Sequence, residues 1–391
     1  MSELPALAPF EFLTAGRIVF GSGTAQTLGE RAKKLGSRAL WVTGNDRARV
    51  AALEGQLRQA GVELVAVSVG AEPRVEDAVA AVEAGKRIGA QLVIACGGGS
   101  VLDLGKAAAA LLANPGEPLD FLEVIGRGRP LTAPALPLIA LPTTAGTGAE
   151  VTKNAVLTSG QHAVKASLRH DSMLPAIALV DPQLTLSMPS QVTAATGLDA
   201  FTQCLEPFVS CAHNPITDAL AWEGMKRGAR SLRLAFHDGT NLAAREDMAL
   251  CSLFGGLALA NAKLGAVHGF AAAVGGQFVA PHGAVCARLL PLVMQANVAA
   301  LRARAPHSPL LRRYEEIARL LIGSAGASIE DGAAFVAELA RELAIPPLAD
   351  YGMTASHIPS LVAKAAVASS TKGNPIVLTT AELTQVIEWA L

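Results

Sequence analysis

Two side chains four residues apart form half of a possible metal site. Asp199 and Gln203 lie in the segment GLDAFTQCLE, residues 197–206, whose flanking residues suit a helix. A spacing of four places both side chains on the same helical face. A carboxylate followed one turn later by a histidine would be an obvious start to a cation site, but here the second side chain is an amide. Gln203 can act as a weaker carbonyl ligand or orient a water molecule, and both roles stay open.

Two histidines in apolar surroundings are the best partners for Asp199. His268, in LGAVHGFAAAVGG, and His282, in VAPHGAVCARLLP, are fourteen residues apart. One histidine in such a setting is more often a satisfied core residue than a ligand. Two of them, with an acid, make a site of one carboxylate and two imidazoles credible, and these ligands suit Zn²⁺ or Fe²⁺. Glu206 is interpreted in two ways, as a residue that holds a metal ligand in place or as a helix-end carboxylate that pairs with a nearby base. Six histidines in polar or turn-like contexts receive no role: His162, His170, His213, His237, His307 and His357.

A glycine-rich turn is the strongest nucleotide signal in the chain. In QLVIACGGGSVLDLGKAAAALL, residues 91–112, three glycines follow an apolar run. They allow the backbone to approach a ligand closely, and the helix that follows offers free N–H groups to a phosphate. We expect Asp103 in the first turn of that helix, where a carboxylate is favoured in any case. The segment matches neither G-x-G-x-x-G nor a P-loop, so a plain strand-to-helix turn explains it equally well when it is taken alone.

A threonine-rich loop strengthens the nucleotide interpretation. LPTTAGTGAEVT, residues 141–152, follows another apolar run and supplies hydroxyls and exposed amides that suit a pyrophosphate or a ribose. Two such loops at the carboxyl ends of strands suggest one dinucleotide lying across the sheet edge. Lys165 follows the loop and can meet a cofactor or a substrate oxygen, although a surface lysine is the commoner case. The third glycine turn, FGSGTA at residues 20–25, is interpreted as structural.

The elements that must position these residues change character along the chain. Apolar runs of about five residues alternate with helix-like segments up to about Asp181, which predicts a parallel sheet covered by helices on both faces. Helical periodicity and alanine-rich segments dominate from about Ser190 onward. We therefore predict an α/β dinucleotide-binding domain over residues 1–182 and an all-α metal- and substrate-binding domain over residues 183–391.

Composition argues against several classes of protein. The 391 residues are enough for two domains, and 51% hydrophobic against 17% charged residues argues against disorder. A net charge of -1 gives no reason to expect nucleic acid or an acidic membrane as a partner. There is no apolar run of about 18 residues, and the N-terminal sequence MSELPALAPFEFL lacks the basic start of a secretory signal. Five cysteines without C-x-x-C spacing fit free thiols. We expect a cytoplasmic protein.

Together, these segments resemble the iron-containing (group III) alcohol dehydrogenase family. The resemblance runs from about Phe10 to at least Asn297. It implies a dinucleotide-binding N-terminal domain, a helical C-terminal domain and a catalytic cleft between them, an architecture like that of dehydroquinate synthase. The matching segments, in family order, are GGGSVLDLGK, LPTTAGTGAEVT, DPQLTLSMPSQVTAATGLDAFTQCLEPFVS, NPITDALA, LGAVHGF and APHGAVCARLLPLVM.

The resemblance also implies roles for individual residues. The metal ligands of the family correspond to Asp199, His268 and His282, which would hold Fe²⁺ or Zn²⁺ beside the substrate oxygen. Gln203 stands where the family usually has a fourth ligand, a histidine. The positions corresponding to the family's NAD- or NADP-binding residues are Gly97, Gly98, Gly99, Ser100, Asp103, Thr143, Thr144, Thr147, Thr152 and Lys165.

Three positions depart from the family pattern. Besides Gln203, Ala272 stands where many members have a histidine associated with proton transfer. Glycerol dehydrogenases similarly keep one acid and two histidines around zinc, whereas maleylacetate reductases share the scaffold and work without a metal. An aspartate at the position of Gly44 tends to select NAD in the family by repelling a 2'-phosphate. Gly44 removes that repulsion, Arg47 can pair with a phosphate, and Asp46 can restore the preference for NAD, so the choice of cofactor stays open.

The resemblance predicts an NAD(P)-dependent alcohol dehydrogenase or aldehyde or ketone reductase in which a metal acts as Lewis acid. The alternatives are a metal-independent oxoacid reductase like maleylacetate reductase, a lyase like dehydroquinate synthase, and a silent dinucleotide-binding protein. The lyase must hold a phosphorylated sugar acid with several basic residues, and residues 251–300 contain only Lys263 and Arg288. We expect a small alcohol or aldehyde as the partner, no nucleic acid or membrane, and a homodimer or higher homo-oligomer.

Overall fold

The computed structural model describes residues 9–70, 72–160 and 164–391, so residues 1–8 and His162 lie outside the described part. Its strands all lie in the first half of the described chain. They are β1 (Ile18–Phe20), β2 (Arg38–Gly44), β3 (Glu63–Val69), β4 (Leu92–Gly97), β5 (Leu138–Pro142), β6 (Asn154–Ser159), β7 (Val164–Arg169) and β8 (Ile177–Val180). Six of them form one parallel sheet in the order β1-β8-β5-β4-β2-β3.

Helices cover both faces of this sheet. They are α1 (Leu28–Leu35), α2 (Ala51–Gln59), α3 (Val75–Arg87), α4 (Gly99–Ala113) and the short α5 (Pro118–Phe121). Alternate residues of β2 enter two different cores, with Leu40 and Val42 on one face and Ala39 and Trp41 on the other. Because both faces are buried, the strands are nearly continuous apolar runs. The predicted parallel sheet with two covered faces is confirmed.

The second half of the chain is helical, as predicted. After β8 ends at Val180, the helices are α6 (Ser190–Val209), α7 (Pro215–His237), α8 (Leu242–Ala262), α9 (Ala266–Gly275), α10 (His282–Arg304), α11 (Pro309–Ile322), α12 (Ile329–Glu342), α13 (Ile358–Val367) and α14 (Thr380–Ala390). Their apolar faces share one large core that includes Leu198, Phe201 and Leu289. The helix α10 is long and apolar enough to cross a membrane, but 72% of its apolar window is buried inside the protein, as in a core helix.

The strands β6 and β7 form an antiparallel pair that the sequence analysis did not predict. Ala155 and Leu157 on β6 and Ala166 on β7 join the core on the α4 side of the sheet. The backbone N–H of Val156 donates to Asp103 on α4, with 3.1 Å between the donor nitrogen and Oδ2. The pair therefore covers α4 and holds Lys165 at the outer end of β7.

Candidate metal centre and nucleotide cleft

Three helices bring the predicted metal ligands together. Asp199 lies in the middle of α6, His268 in the first turn of α9, and His282 is the first residue of α10. The Nε2 atoms of His268 and His282 lie 3.4 Å and 3.9 Å from Oδ1 of Asp199. The two imidazole rings have their centroids 5.5 Å apart. The three side chains can therefore contact one small ion at the same time.

A sharp bend between α8 and α9 presents His268 to this centre. The two helices meet at 99°, and Lys263 in the short link has a positive φ of 61°. Glu206, on the same face of α6 as Asp199, accepts the backbone N–H of Val267 at 2.8 Å, which satisfies one free donor at the start of α9. Glu206 also contacts Nδ1 of His268 at 2.6 Å. This contact fixes the ring and leaves its Nε2 free to face Asp199.

Three buried polar atoms at the centre lack a hydrogen-bond partner. They are Oδ1 of Asp199, Oε1 of Gln203 and Nε2 of His268. All three residues are at most 5% exposed. Leaving such atoms unpaired costs about 1–3 kcal/mol each, and native proteins seldom do so without a ligand or functional reason. The donor set of carboxylate, amide carbonyl and imidazoles fits a divalent cation.

The charges around the centre favour a positive ion. Burial would raise the pKa of Asp199, but the neighbouring imidazoles of His268 and His282 outweigh it and hold the pKa below its usual value. Burial would lower the pKa of His268, but the neighbouring side chains of Cys286 and Glu206 outweigh it and raise the pKa well above its usual range. The pocket therefore attracts positive charge, which protons or a dication can supply.

Cys286 is a fourth potential ligand that the sequence analysis missed. Its Sγ lies 3.7 Å from Nε2 of His282. One ligand atom from each of Asp199, His268, His282 and Cys286 lies within 4.8 Å of the other three. The signal was present in the sequence, because Cys286 follows His282 by four residues and therefore shares its helical face. The sequence analysis interprets all five cysteines as free thiols and assigns none of them to the metal.

The glycine-rich turn and the threonine-rich loop touch each other at the carboxyl ends of β4 and β5. The backbone N–H of Thr143 donates to the carbonyl of Gly97 at 2.9 Å. A Cβ at Gly99 would lie 2.8 Å from Cγ2 of Thr147, and one at Gly98 would lie 3.4 Å from Thr144. No side chain caps the N-terminus of α4, where Ser100 is the second residue. The free backbone N–H groups in the first turn of α4 are therefore available to a phosphate.

Two of the predicted cofactor residues contact a buried lysine. Asp103 pairs with Lys106 at 2.9 Å, and Oγ1 of Thr152 accepts from the same ammonium at 2.9 Å. Lys106 is 1% exposed and Thr152 is 4% exposed. The placement of Asp103 in the first helical turn was wrong, because α4 starts at Gly99 and Asp103 falls in its second turn. These contacts join α4, the threonine-rich loop and β6 behind the turn.

Lys165 contacts both the α/β half of the chain and the helix that carries His268. Its Nζ pairs with Glu72, which follows β3, at 2.5 Å. The same Nζ would be 2.8 Å from a Cβ at Gly275, the last residue of α9. Lys165 therefore connects the two halves of the chain near the C-terminal end of α9.

One turn of α6 links the threonine-rich loop to the metal ligands. A Cβ at Gly146 in that loop would lie 2.7 Å from Cβ of Thr196, and one at Gly283 on α10 would lie 2.3 Å from the carbonyl of Ala195. Both α6 residues are within four positions of Asp199. A nicotinamide held at the threonine-rich loop would therefore lie next to the metal centre.

Space is open beside Gly44, the position at which the resemblance implies contact with a cofactor ribose. A Cβ at Gly44, the last residue of β2, would meet no atom within 4 Å. Arg47 pairs with Glu54 at 2.8 Å, and its side chain is 47% exposed. Gly44 carries no side chain, so the space beside it can accommodate a larger group.

Comparisons with known proteins agree over nearly the whole chain. Residues 15–182 match the family model of iron-containing alcohol dehydrogenase, and residues 193–391 match the C-terminal model of the Fe-containing alcohol dehydrogenase family. The 1,3-propanediol dehydrogenase of Citrobacter freundii is 34% identical, over 94% of this chain and 95% of that protein. Long-chain-alcohol dehydrogenase 1 of Geobacillus thermodenitrificans (strain NG80-2) is 41% identical, over 72% and 73%. The solved structure of sulfoacetaldehyde reductase from Bifidobacterium kashiwanohense in complex with NAD⁺ has a TM-score of 0.87 and 28% identity, and the match covers 98% of each chain.

Proposed function

The chain belongs to the iron-containing alcohol dehydrogenase family, and on this premise we propose that Asp199, His268 and His282 hold its catalytic metal. It is an oxidoreductase that acts on CH–OH groups, an alcohol dehydrogenase or aldehyde reductase. It uses a nicotinamide cofactor and a metal. When bound, the divalent cation supplies a Lewis acid for the substrate oxygen, and the nicotinamide carries the hydride.

The observation that carries the ligand assignment is the set of unpaired buried atoms on Asp199 and His268, 3.4 Å apart. Glu206 holds His268 by its Nδ1, so that Nε2 points toward Asp199. His282 closes the third side and is 39% exposed, which leaves the centre open to a substrate on that side. These residues fit a cation that is Fe²⁺ or Zn²⁺.

The proton of the alcohol needs a route that involves no histidine at position 272. Ala272 lies one turn after His268 on α9 and is exposed. Its methyl group can neither accept nor donate a proton. We assign the transfer to water or to the ribose hydroxyls of the bound dinucleotide.

Both NAD and NADP are proposed as cofactors, because Gly44 offers no carboxylate to repel a 2'-phosphate and leaves open space. The activities of similar proteins, a 1,3-propanediol dehydrogenase, a long-chain-alcohol dehydrogenase and a sulfoacetaldehyde reductase, suggest small primary alcohols, long-chain alcohols and sulfoacetaldehyde as substrate classes to test. All five cysteines are free, which supports a reducing cytoplasm as the site of action. Homo-oligomers remain an expectation, which light scattering can check.

The variant His268→Ala tests the ligand assignment. We expect it to lose bound metal and turnover, since it removes one of the buried ligands, and to bind dinucleotide as the wild type does. Metal analysis, turnover with Zn²⁺ or Fe²⁺ added back, and a dinucleotide titration measure the three quantities. Full turnover of the variant would refute the assignment. Wild-type turnover of an oxoacid that survives complete metal removal would instead indicate the metal-independent reductase.

A further inference from the structure

The metal centre has an amide where a fourth imidazole would be the stronger ligand. Gln203 is 3% exposed, and its Oε1 has no hydrogen-bond partner. An amide oxygen is a hard, uncharged donor, which suits Mg²⁺ or Ca²⁺ better than a transition metal. Asp199, His268 and His282 therefore leave one coordination position of the metal without a strong protein ligand. Another candidate ligand for that position lies nearby.

That candidate is the thiol of Cys286, whose environment differs from that of an ordinary buried cysteine. Cys204 illustrates the ordinary case, because it lies in the core on α6, next to α8, and its Sγ contacts the carbonyl of Cys251 at 3.4 Å. Cys286 is equally buried, at 0% exposed. Its Sγ instead faces the ligand atoms of a carboxylate and two imidazoles. A small apolar residue would fill the core as well, so the polar surroundings point to a ligand.

The spacing of the four groups fits one tetrahedral ion. With Zn–N and Zn–O bonds of about 2.0–2.1 Å and a Zn–S bond of about 2.3 Å, the edges of the tetrahedron are about 3.3 to 3.6 Å long. The corresponding distances are 3.4 Å from Asp199 to His268 and 3.9 Å from Asp199 to His282. Cys286 lies 3.7 Å from His282. The remaining pairs of ligand atoms lie within 4.8 Å of one another, so modest side-chain movements are enough to complete the site.

We propose that Cys286 binds the metal as a thiolate, in place of the histidine missing at position 203, and that the resulting ligand set favours Zn²⁺ over Fe²⁺. This inference rests on the proposed function, because it assumes that Asp199, His268 and His282 hold the metal. A soft sulfur ligand adds to the general preference of such sites for Zn²⁺ over Fe²⁺. Zinc can expand from four to five ligands, so the fourth protein ligand does not close the centre to a substrate.

Cobalt substitution tests the sulfur ligand directly. Co²⁺ adopts the same tetrahedral sites as Zn²⁺ and shows a near-ultraviolet charge-transfer band when a thiolate is coordinated. We expect one Co²⁺ per wild-type chain, with that band. Cys286→Ser should lose the band, and its Zn²⁺ affinity should fall by more than about 100-fold. Removing a residue that only supports a metal ligand costs up to about 100-fold in affinity, and removing a ligand itself should cost more. Cys211→Ser is the matched control, because Cys211 is exposed and its Sγ contacts the carbonyl of Lys372; this variant should keep the band.

A second variant separates loss of a ligand from misfolding. Gln203→His, added to Cys286→Ser, supplies an imidazole on the same helical face as Asp199. We expect it to restore tight metal binding without the sulfur band and to shift the preference toward Fe²⁺. Circular dichroism and dinucleotide binding, both expected to match the wild type, check that the variants are folded.

The possible outcomes distinguish this inference from the proposed function. If wild-type protein binds one Co²⁺ and turns over without showing the band, or if Cys286→Ser binds Zn²⁺ as tightly as the wild type, the thiolate ligand is refuted and the metal enzyme stands. If the wild type binds no metal at this centre, both proposals fail.

Discussion

The nucleotide cleft, formed by the glycine-rich turn (residues 97–99) and the threonine-rich loop (residues 141–152), differs from the metal centre in how its buried polar groups are satisfied. In the cleft, apart from the free N–H groups at the start of α4, the polar groups pair within the protein, as Thr143 does with Gly97 and Lys106 with Asp103 and Thr152. At the metal centre Asp199 and His268 present buried atoms without a partner. A paired group holds the backbone in place, whereas an unpaired buried group favours whatever ligand satisfies it. The cleft is thus a preformed framework, whereas we propose that a bound ion completes the centre.

One buried carboxylate in the cleft has a pKa that is shifted by its burial. Glu150, in the threonine-rich loop, is 2% exposed. Burial raises its pKa to about 7, although the charge of Lys106 opposes the shift. Because its pKa is higher in the folded protein than in the unfolded chain, the folded protein keeps a proton between about pH 4.5 and 7 that the unfolded chain has lost. Glu150 therefore lowers the stability as the pH rises through that range.

The variant Glu150→Gln should give the largest change in stability, because the amide cannot titrate. With folded and unfolded pKa values of about 7 and 4.5, the variant should gain about 2 to 3 kcal/mol relative to the wild type between pH 5 and pH 8. Denaturant unfolding of both proteins at the two pH values measures the difference. A constant difference would show that the carboxyl group of Glu150 ionises at its ordinary pKa in the folded protein.

At the metal centre, Glu206→Gln should weaken metal binding without affecting the cleft. Glutamine can keep only one of the two contacts that Glu206 makes to Val267 and His268. Loss of such a residue behind a ligand typically costs 10–100-fold in metal affinity, about 1.4 to 2.7 kcal/mol. Competition with a chelator measures the affinity. Glu338→Gln, at an exposed position on α12, is the control. An equal loss of dinucleotide affinity would mean that the two regions are not separate.

In the cleft, Gly99→Ala should weaken dinucleotide binding about 10-fold and leave the metal content unchanged. The added Cβ would lie 2.8 Å from Thr147, so the loop must move, at a cost of about 1 to 3 kcal/mol. Gly55→Ala is the matched control, because it lies in helix α2 and its Cβ would meet nothing within 4 Å. Dinucleotide titration and metal analysis measure the two effects. Wild-type dinucleotide affinity in Gly99→Ala would show that the turn does not contact the cofactor.

The cleft was easier to predict than the centre because its residues are close in the chain. Glycines 97–99 directly follow a buried strand, and the threonine-rich loop directly follows another. The parallel arrangement then requires both to meet at one edge of the sheet. The β6–β7 pair escaped prediction because its two strands have only six residues each and mix polar with apolar residues, unlike the apolar runs of the main sheet. The helix position of Asp103 was wrong because helix ends are the least certain part of a sequence pattern.

The sequence by itself determined the alternation of strands and helices, the glycine-rich turn and the side chains able to bind a metal, since periodicity and residue type are local properties. Only the tertiary structure decided which of those side chains meet. The bend at Lys263 turns α9 so that His268 faces Asp199, and the packing of α10 against α6 brings in His282 together with Cys286. Such contacts join positions up to 87 residues apart, from 199 to 286. They depend on how helices pack against one another, which local sequence patterns do not specify.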